Sequence, residues 1–230
     1  MEDLKKYLIQ FDEKIIIEKL TEQSKINDYL VKILCQMVHF RSGGQKEFKV
    51  VSGLEITYSQ IFMYLNQNKD VCDLKNNITV QPWDLSKGLL LIGNFGRGKT
   101  LLLDMIYSQR EKLKIPGKYT TAFELSQSYF QDKKKFDELV SGESSLFLDE
   151  IGDEPKEITN YGNSENTTYR AMKLFFDKVE KQSEKSKFFG TSNLGQTELI
   201  QRYDERIWSR IVGNCNIIVF GGDLKDFRKG

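Results

Sequence analysis

Apolar residues recur along this chain with two different periods. Up to about Phe40 they fall three and four positions apart: Leu4, Leu8, Phe11, Ile15, Ile16 and Leu20, then Ile26, Leu30, Ile33, Leu34, Met37 and Val38, with charged residues between them. That spacing predicts two amphipathic helices. Arg41-Ser42-Gly43-Gly44 breaks the pattern. Phe48–Val51 then reads as a short strand, and Ser59–Asn68 as a helix carrying Ile61, Phe62 and Leu65. Beyond Pro82-Trp83 the pattern changes. Gly88–Ile92 (GLLLI) is wholly apolar, as suits a strand covered on both faces. Further strands are predicted at 119–123, 145–149, 187–191 and 217–220, and helices at 100–112, 124–134, 166–183 and 197–212. Strands alternating with helices predict a parallel α/β sheet. Right-handed crossovers would put the C-terminal ends of all strands on one edge, where ligands bind. The expected division is a small, mainly helical region over 1–80, a candidate partner-binding part, and an α/β domain over 81–230.

Composition narrows the class. Apolar residues make up 39% of the 230, enough for a packed core. Lys and Arg total 34 against 33 for Asp and Glu, a net charge of +1. Any contact with nucleic acid would therefore come from a local patch rather than from bulk charge. No apolar run approaches the roughly 20 residues of a membrane span, and MEDLKKYLIQFDEK is too charged for a signal peptide. Cys35, Cys72 and Cys215 are widely separated and form no CxxC. The expectation is a reducing, cytoplasmic setting with no membrane partner.

Gly93-Asn94-Phe95-Gly96-Arg97-Gly98-Lys99-Thr100 matches G-x-x-x-x-G-K-[ST], between a predicted strand and a predicted helix. A polyphosphate needs several backbone N–H groups aimed inward, so the chain must turn sharply; Gly93, Gly96 and Gly98 allow that. The helix N-terminus adds partial positive charge. Lys99 would place an ammonium on the β- and γ-phosphates, and the Thr100 hydroxyl would ligate Mg²⁺. The nucleotide-binding set is thus residues 93–100 together with Leu101, with ATP and Mg²⁺ as the implied cofactors.

Leu146-Phe147-Leu148-Asp149-Glu150 is an apolar strand ending in two carboxylates. Asp149 would hold the Mg²⁺ through a water, and Glu150 would take the proton of an attacking water. One carboxylate for the metal and one for the nucleophile imply hydrolysis. A whole strand–helix unit, 119–134, separates loop and acidic strand in sequence, which fits ATPases with an extra strand between those two in the sheet. Phe188-Phe189-Gly190-Thr191-Ser192-Asn193 runs from apolar to small polar, and Asn193 is the candidate to orient the lytic water. Arg202, Arg206 and Arg210 are spaced four apart, which would align them on one helical face. They would meet an anion there, or pair with Asp204 and Glu205; spacing leaves both readings open.

With GNFGRGKT, LFLDEIG, GTSNL and YDERIWSRI in place, the sequence resembles the AAA+ ATPases of the DnaC, DnaI and IstB type, that is, helicase loaders and transposition helper ATPases, over about Pro82 to Arg228. The resemblance implies a P-loop NTPase core with a five-stranded parallel sheet and no C-terminal helical lid. It implies that Asn193 is the sensor-1 residue, Arg210 the arginine finger acting on the next subunit of a homo-oligomer when ATP is bound, and Arg206 a second arginine near the nucleotide. Many AAA+ proteins add a lid with a sensor-2 arginine; this chain stops after its fifth strand, which leaves open whether Arg228 or Arg206 senses the nucleotide. Some loaders carry a zinc-binding N-terminus, whereas Cys35 and His39 make only one pair here. By the same resemblance the N-terminal helices would contact a replicative helicase, with packing against the ATPase domain as the plain alternative. Lys133-Lys134-Lys135 is a candidate contact for single-stranded DNA, or a solvated helix face. The expected function is an ATP-hydrolysing helicase loader or remodeller in DNA replication. The alternative is a transposition helper ATPase binding DNA and a transposase. A small-molecule kinase fits less well, because the LDE pair and the TSN tip disfavour it.

Overall fold

The computed structural model describes residues 55–220 except 75–77, 142, 161–162 and 182–185. The expected helices before residue 41, the strand at 48–51, Cys35, His39 and Arg228 lie outside the described residues.

Helix α1 (Glu55–Leu65) is followed by a 3₁₀ turn (Lys69–Asp73) and a connection leading to β1 (Gly88–Ile92). The chain then forms α2 (Lys99–Ser108), β2 (Gly117–Thr121), α3 (Ala122–Gln131), α4 (Lys133–Leu139) and β3 (Ser145–Ile151). A small hairpin, β4 (Ile158–Asn160) with β5 (Asn163–Glu165), precedes α5 (Thr167–Val179). β6 (Phe188–Ser192), α6 (Gln196–Tyr203), α7 (Glu205–Asn214) and β7 (Cys215–Val219) complete the described chain.

Five strands form one parallel sheet in the order β2–β3–β6–β1–β7. This is the predicted α/β architecture, including the extra strand expected between the glycine-loop strand and the acidic strand. The strand that follows the phosphate loop in sequence, β2, goes to the edge. The strand lying between the phosphate-loop strand β1 and the acidic strand β3 is β6.

The two-residue period of the strands divides the core. Leu89, Leu91, Phe147, Phe189 and Ile218 face one side with α1 and α2. Leu90, Ile92, Leu146, Leu148, Phe188, Ile217 and Val219 face the other with α3 to α7. Every residue of β1 is buried, and each of its Leu and Ile side chains contributes about 1.5–3 kcal/mol by leaving water. Phe147 and Phe189 stack across β3 and β6 with ring centroids 4.7 Å apart.

Helix α1 packs into this same core, on the far side of the residue-80 boundary expected from sequence. Ile61, Phe62, Tyr64 and Leu65 are all buried there. Buried Gln60 ties the helix to the incoming chain by accepting from the Trp83 indole N–H at 3.0 Å and the Ile78 backbone N–H at 3.3 Å. Tyr64 stacks on Trp83 at 5.4 Å.

The predicted helix over 197–212 is two helices. Asp204 takes a left-handed φ of 91°, ends α6 by donating its N–H to the Ile200 carbonyl, and caps α7 by accepting from the Ile207 N–H at 2.9 Å. Periodicity runs through this break because both helices present apolar residues to the same core: Leu199, Tyr203, Ile207 and Ile211. Among the described residues, no helix is long and apolar enough to cross a membrane.

Candidate nucleotide site

The loop from β1 to α2 is shaped by glycine. Gly93 has φ of 139°, and a Cβ on it would lie 2.3 Å from the Phe220 carbonyl oxygen. Gly98, at φ 84°, is the N-cap of α2, so the helix begins with its N–H groups directed into the loop. Asn94, Phe95 and Gly96 form an exposed tip, Phe95 being 76% exposed. Leu101 anchors the first turn by packing on the core, and Arg97 is half-buried.

Lys99 is buried, and its ammonium donates to the Gly93 carbonyl at 2.6 Å, the Asn94 carbonyl at 2.9 Å and the Asn193 side-chain oxygen at 2.8 Å. Burial lowers its pKa, and the carboxylates of Asp149 and Asp153 act in the opposite direction. The Asn193 amide N–H₂ in turn faces Asp153 at 3.4 Å.

Asp149 is the most enclosed carboxylate of the site, 2% exposed. Oδ1 accepts from the Thr100 hydroxyl at 3.2 Å and from the Thr191 hydroxyl. Oδ2 accepts from the Tyr119 hydroxyl at 2.9 Å. Glu150 turns the other way. Its register partner is lost where β3 shifts against β6 between Leu148 and Ile151, and its backbone adopts φ 57°. Its N–H donates to Thr191 Oγ1 at 3.0 Å, and its side chain is exposed. Partial burial raises its pKa, with further contributions from Asp149 and Asp153.

The fold therefore gathers Lys99, Thr100, Asp149, Glu150 and Asn193 at the C-terminal edge of β1, β3 and β6. It adds three groups that the sequence reading did not select: Tyr119, Asp153 and Thr191. Thr191 lies inside the GTSN segment, and Asp153 follows the acidic pair closely; both were within reach of a finer reading. Tyr119 sits on a different strand and carries no local signal.

The arginines do not form one stripe. Arg202 lies on α6 and serves the loop after β3. Its guanidinium pairs with buried Glu154 at 3.3 Å and donates to the Glu154 carbonyl. Glu154 also accepts from the Tyr203 hydroxyl and from the Gly152 N–H at 2.9 Å. Arg210, on α7, pairs with Asp177 of α5 at 2.5 Å and donates to the Lys173 carbonyl at 3.3 Å. Arg206, on the same helix, is exposed. Lys133, Lys134 and Lys135 are exposed in the first turn of α4, where the helix dipole disfavours cations. Lys133 is matched by Asp137 at 3.6 Å.

Solved structures share this architecture. AMPPCP-bound DnaA from Aquifex aeolicus aligns with a TM-score of 0.51 and 20% identity over 79% of this chain and 50% of that one. The DnaC helicase loader aligns at 0.51 and 18% identity over 75% of this chain and 93% of that one. Replication initiator DnaA bound to AMPPCP and single-stranded DNA gives 0.52 and 19%, over 76% and 49%. The chain thus spans about half the length of the DnaA chains it matches. No protein-family profile and no curated protein sequence matches it. The fold is of the kind seen in DnaC and DnaA.

Proposed function

We propose that this chain binds ATP with Mg²⁺, hydrolyses it, and uses the cycle to load or remodel a replicative helicase. The observation that carries the reading is the meeting of a buried ammonium, Lys99, with a hydroxyl–carboxylate pair, Thr100 and Asp149, beside a glycine loop at one sheet edge.

These residues fit a magnesium-bound triphosphate. The loop offers backbone donors and a helix N-terminus, and Thr100 with Asp149 offers the few hard oxygen donors that Mg²⁺ accepts from protein. The ion, when bound, neutralises charge on the phosphates. Lys99 would exchange its contacts with Gly93, Asn94 and Asn193 for phosphate oxygens. Asn193, released from Lys99 and steadied by Asp153, would orient water, and Glu150 would accept its proton; the carboxylate is exposed enough for solvent to reach it. Within one chain the Arg210 guanidinium is engaged by α5. Its proposed work is on the nucleotide of a neighbouring copy, which makes the active form a homo-oligomer. Arg206, exposed beside it, would share that interface.

The helicase role draws support from similarity in fold to the DnaC helicase loader, which this chain matches over nearly all of that chain's length. Residues 1–40 are the proposed helicase-binding part, and single-stranded DNA is the proposed second partner, with Lys133, Lys134 and Lys135 as candidate contacts. Phosphate release from ATP without an acceptor substrate tests the enzyme. Affinity purification of Glu150→Gln with ATP tests the partner: recovery of a hexameric helicase supports the reading, and recovery of a transposase replaces it with a transposition helper.

A further inference from the structure

We propose that Tyr119 is a positioning residue that orients the Asp149 carboxylate for its work on the metal. This rests on the nucleotide reading above.

Asp149 accepts from three side-chain hydroxyls on three elements. Among the described residues, Thr100 of α2 and Thr191 of β6 converge on Oδ1, and Tyr119 of β2 serves Oδ2. Two donors on one oxygen leave the carboxylate free to rock about its terminal torsion, which is broad for aspartate. A donor on the second oxygen removes that freedom. The Thr100 oxygen then keeps its lone pairs free for the ion while its proton stays on Oδ1. Outer partners that orient the groups around a metal typically change its affinity by 10–100-fold when removed.

The Tyr119 ring is held in place by its register and its packing. β2 and β3 run parallel with Tyr119 opposite Phe147 and Thr121 opposite Asp149. Tyr119 and Asp149 therefore share a face of the sheet. The Tyr119 ring packs on Tyr107 of α2 with centroids 5.2 Å apart, and Tyr107 meets Phe147 at 5.2 Å. Phe147 continues the column onto Phe189. Burial, followed by the carboxylates of Asp149 and Asp104, raises the pKa of the phenol, so it remains a donor. Asp104 of α2 is a second carboxylate within hydrogen-bond reach of the same hydroxyl. The ring column makes Tyr119→Phe a clean test, because the packing partners keep their neighbour and only the hydroxyl leaves.

The experiment is titration of the full chain with a fluorescent ATP analogue, once in EDTA and once with Mg²⁺, for wild type, Tyr119→Phe, Asp149→Asn and the double variant. Wild type should bind more tightly with Mg²⁺. In Tyr119→Phe, affinity in EDTA should stay at the wild-type value while the gain from Mg²⁺ shrinks about 10-fold. In the Asp149→Asn background, Tyr119→Phe should change nothing further. An equal loss in EDTA and Mg²⁺ would make Tyr119 merely structural, and an unchanged Mg²⁺ gain would remove its role; either result overturns the inference alone. A further loss in the Asp149→Asn background would also overturn it, by showing that Tyr119 acts elsewhere. Wild type that binds the analogue in neither buffer would overturn the nucleotide reading, and this inference with it.

Discussion

The ammonium of Lys99 and the side-chain oxygen of Asn193 are hydrogen-bonded at 2.8 Å, joining the start of α2 to the tip of β6. The two residues are 94 positions apart. Their contact gives Lys99 a partner that the proposed phosphate would replace, and gives Asn193 a second use. Replacing Asn193 by Ala should therefore leave ATP affinity within about threefold of wild type, while turnover falls about 10²-fold, in the range seen when a positioned polar group is removed. Equilibrium binding and phosphate release, measured side by side, check this; a loss confined to binding would contradict it.

Removal of the ammonium itself should act on both steps. Lys99→Ala loses the charge proposed to face the phosphates, and binding should weaken by at least about tenfold, the loss of a charge-assisted hydrogen bond worth about 1.5–3 kcal/mol. Glu150→Gln should separate the steps, holding nucleotide normally while hydrolysis falls by about 10²–10⁴. Calorimetric titration with ATP and a phosphate assay distinguish the two variants.

Gly98→Ala tests the shape of the loop. The position sits at φ 84°, and a Cβ there would approach the Tyr58 hydroxyl oxygen to 2.9 Å. The left-handed conformation alone costs about 1–2 kcal/mol for a residue with a Cβ. The variant should melt several degrees lower and bind ATP poorly. The same change at Gly213, which has open space around it, should leave ATP binding unaltered.

Arg202→Ala should destabilise the fold more than a surface arginine would. Its partner, the Glu154 side chain, is fully buried, and Arg202 itself is only 18% exposed. Taking away one member of a buried pair costs about 3–5 kcal/mol, because the remaining charge has lost its compensation. The Tyr203 hydroxyl and Gly152 N–H still reach Glu154, so the lower end is expected. Urea unfolding measures it, and Arg202→Ala with Glu154→Gln should recover part of the loss.

Arg210→Ala should behave differently. Its pair with Asp177 is partly solvated, so stability should change by less than about 1 kcal/mol. Nucleotide binding should persist and hydrolysis by the assembled protein should disappear. Mixing Arg210→Ala with Glu150→Gln should restore some turnover at the one kind of subunit boundary that carries both intact groups. An absence of recovery at any mixing ratio would argue against action across subunits.

β1 and β3 were legible because each contains a short apolar run, and burial on both faces demands just that composition. GLLLI at 88–92 and LFL within 145–151 needed no other signal. The glycine loop and the LDE pair were equally plain, since local chemistry dictates residue type at fixed spacing. The order of the strands was harder: nothing in residues 117–121 says edge, and nothing in 188–192 says centre. Asp204 hid a helix break because the apolar face continues across it. That same break dissolved the apparent arginine stripe, sending Arg202 to Glu154. Tyr119 was invisible for a different reason. Its relation to Asp149 exists only once two strands have paired, and a lone tyrosine on a strand reads as packing.

The placement of β6 between β1 and β3 has a mechanical corollary. One strand end carries Thr191, which grips Asp149, and two residues on comes Asn193, which grips Lys99. A slide of this single rod along its neighbours would loosen or tighten both grips in the same stroke. The strand leads directly into α6 and α7, where Arg202 and Arg210 reside. A pull on those helices by an adjoining molecule has a short, stiff route to the floor of the phosphate loop, with no lid or hinge needed to relay it.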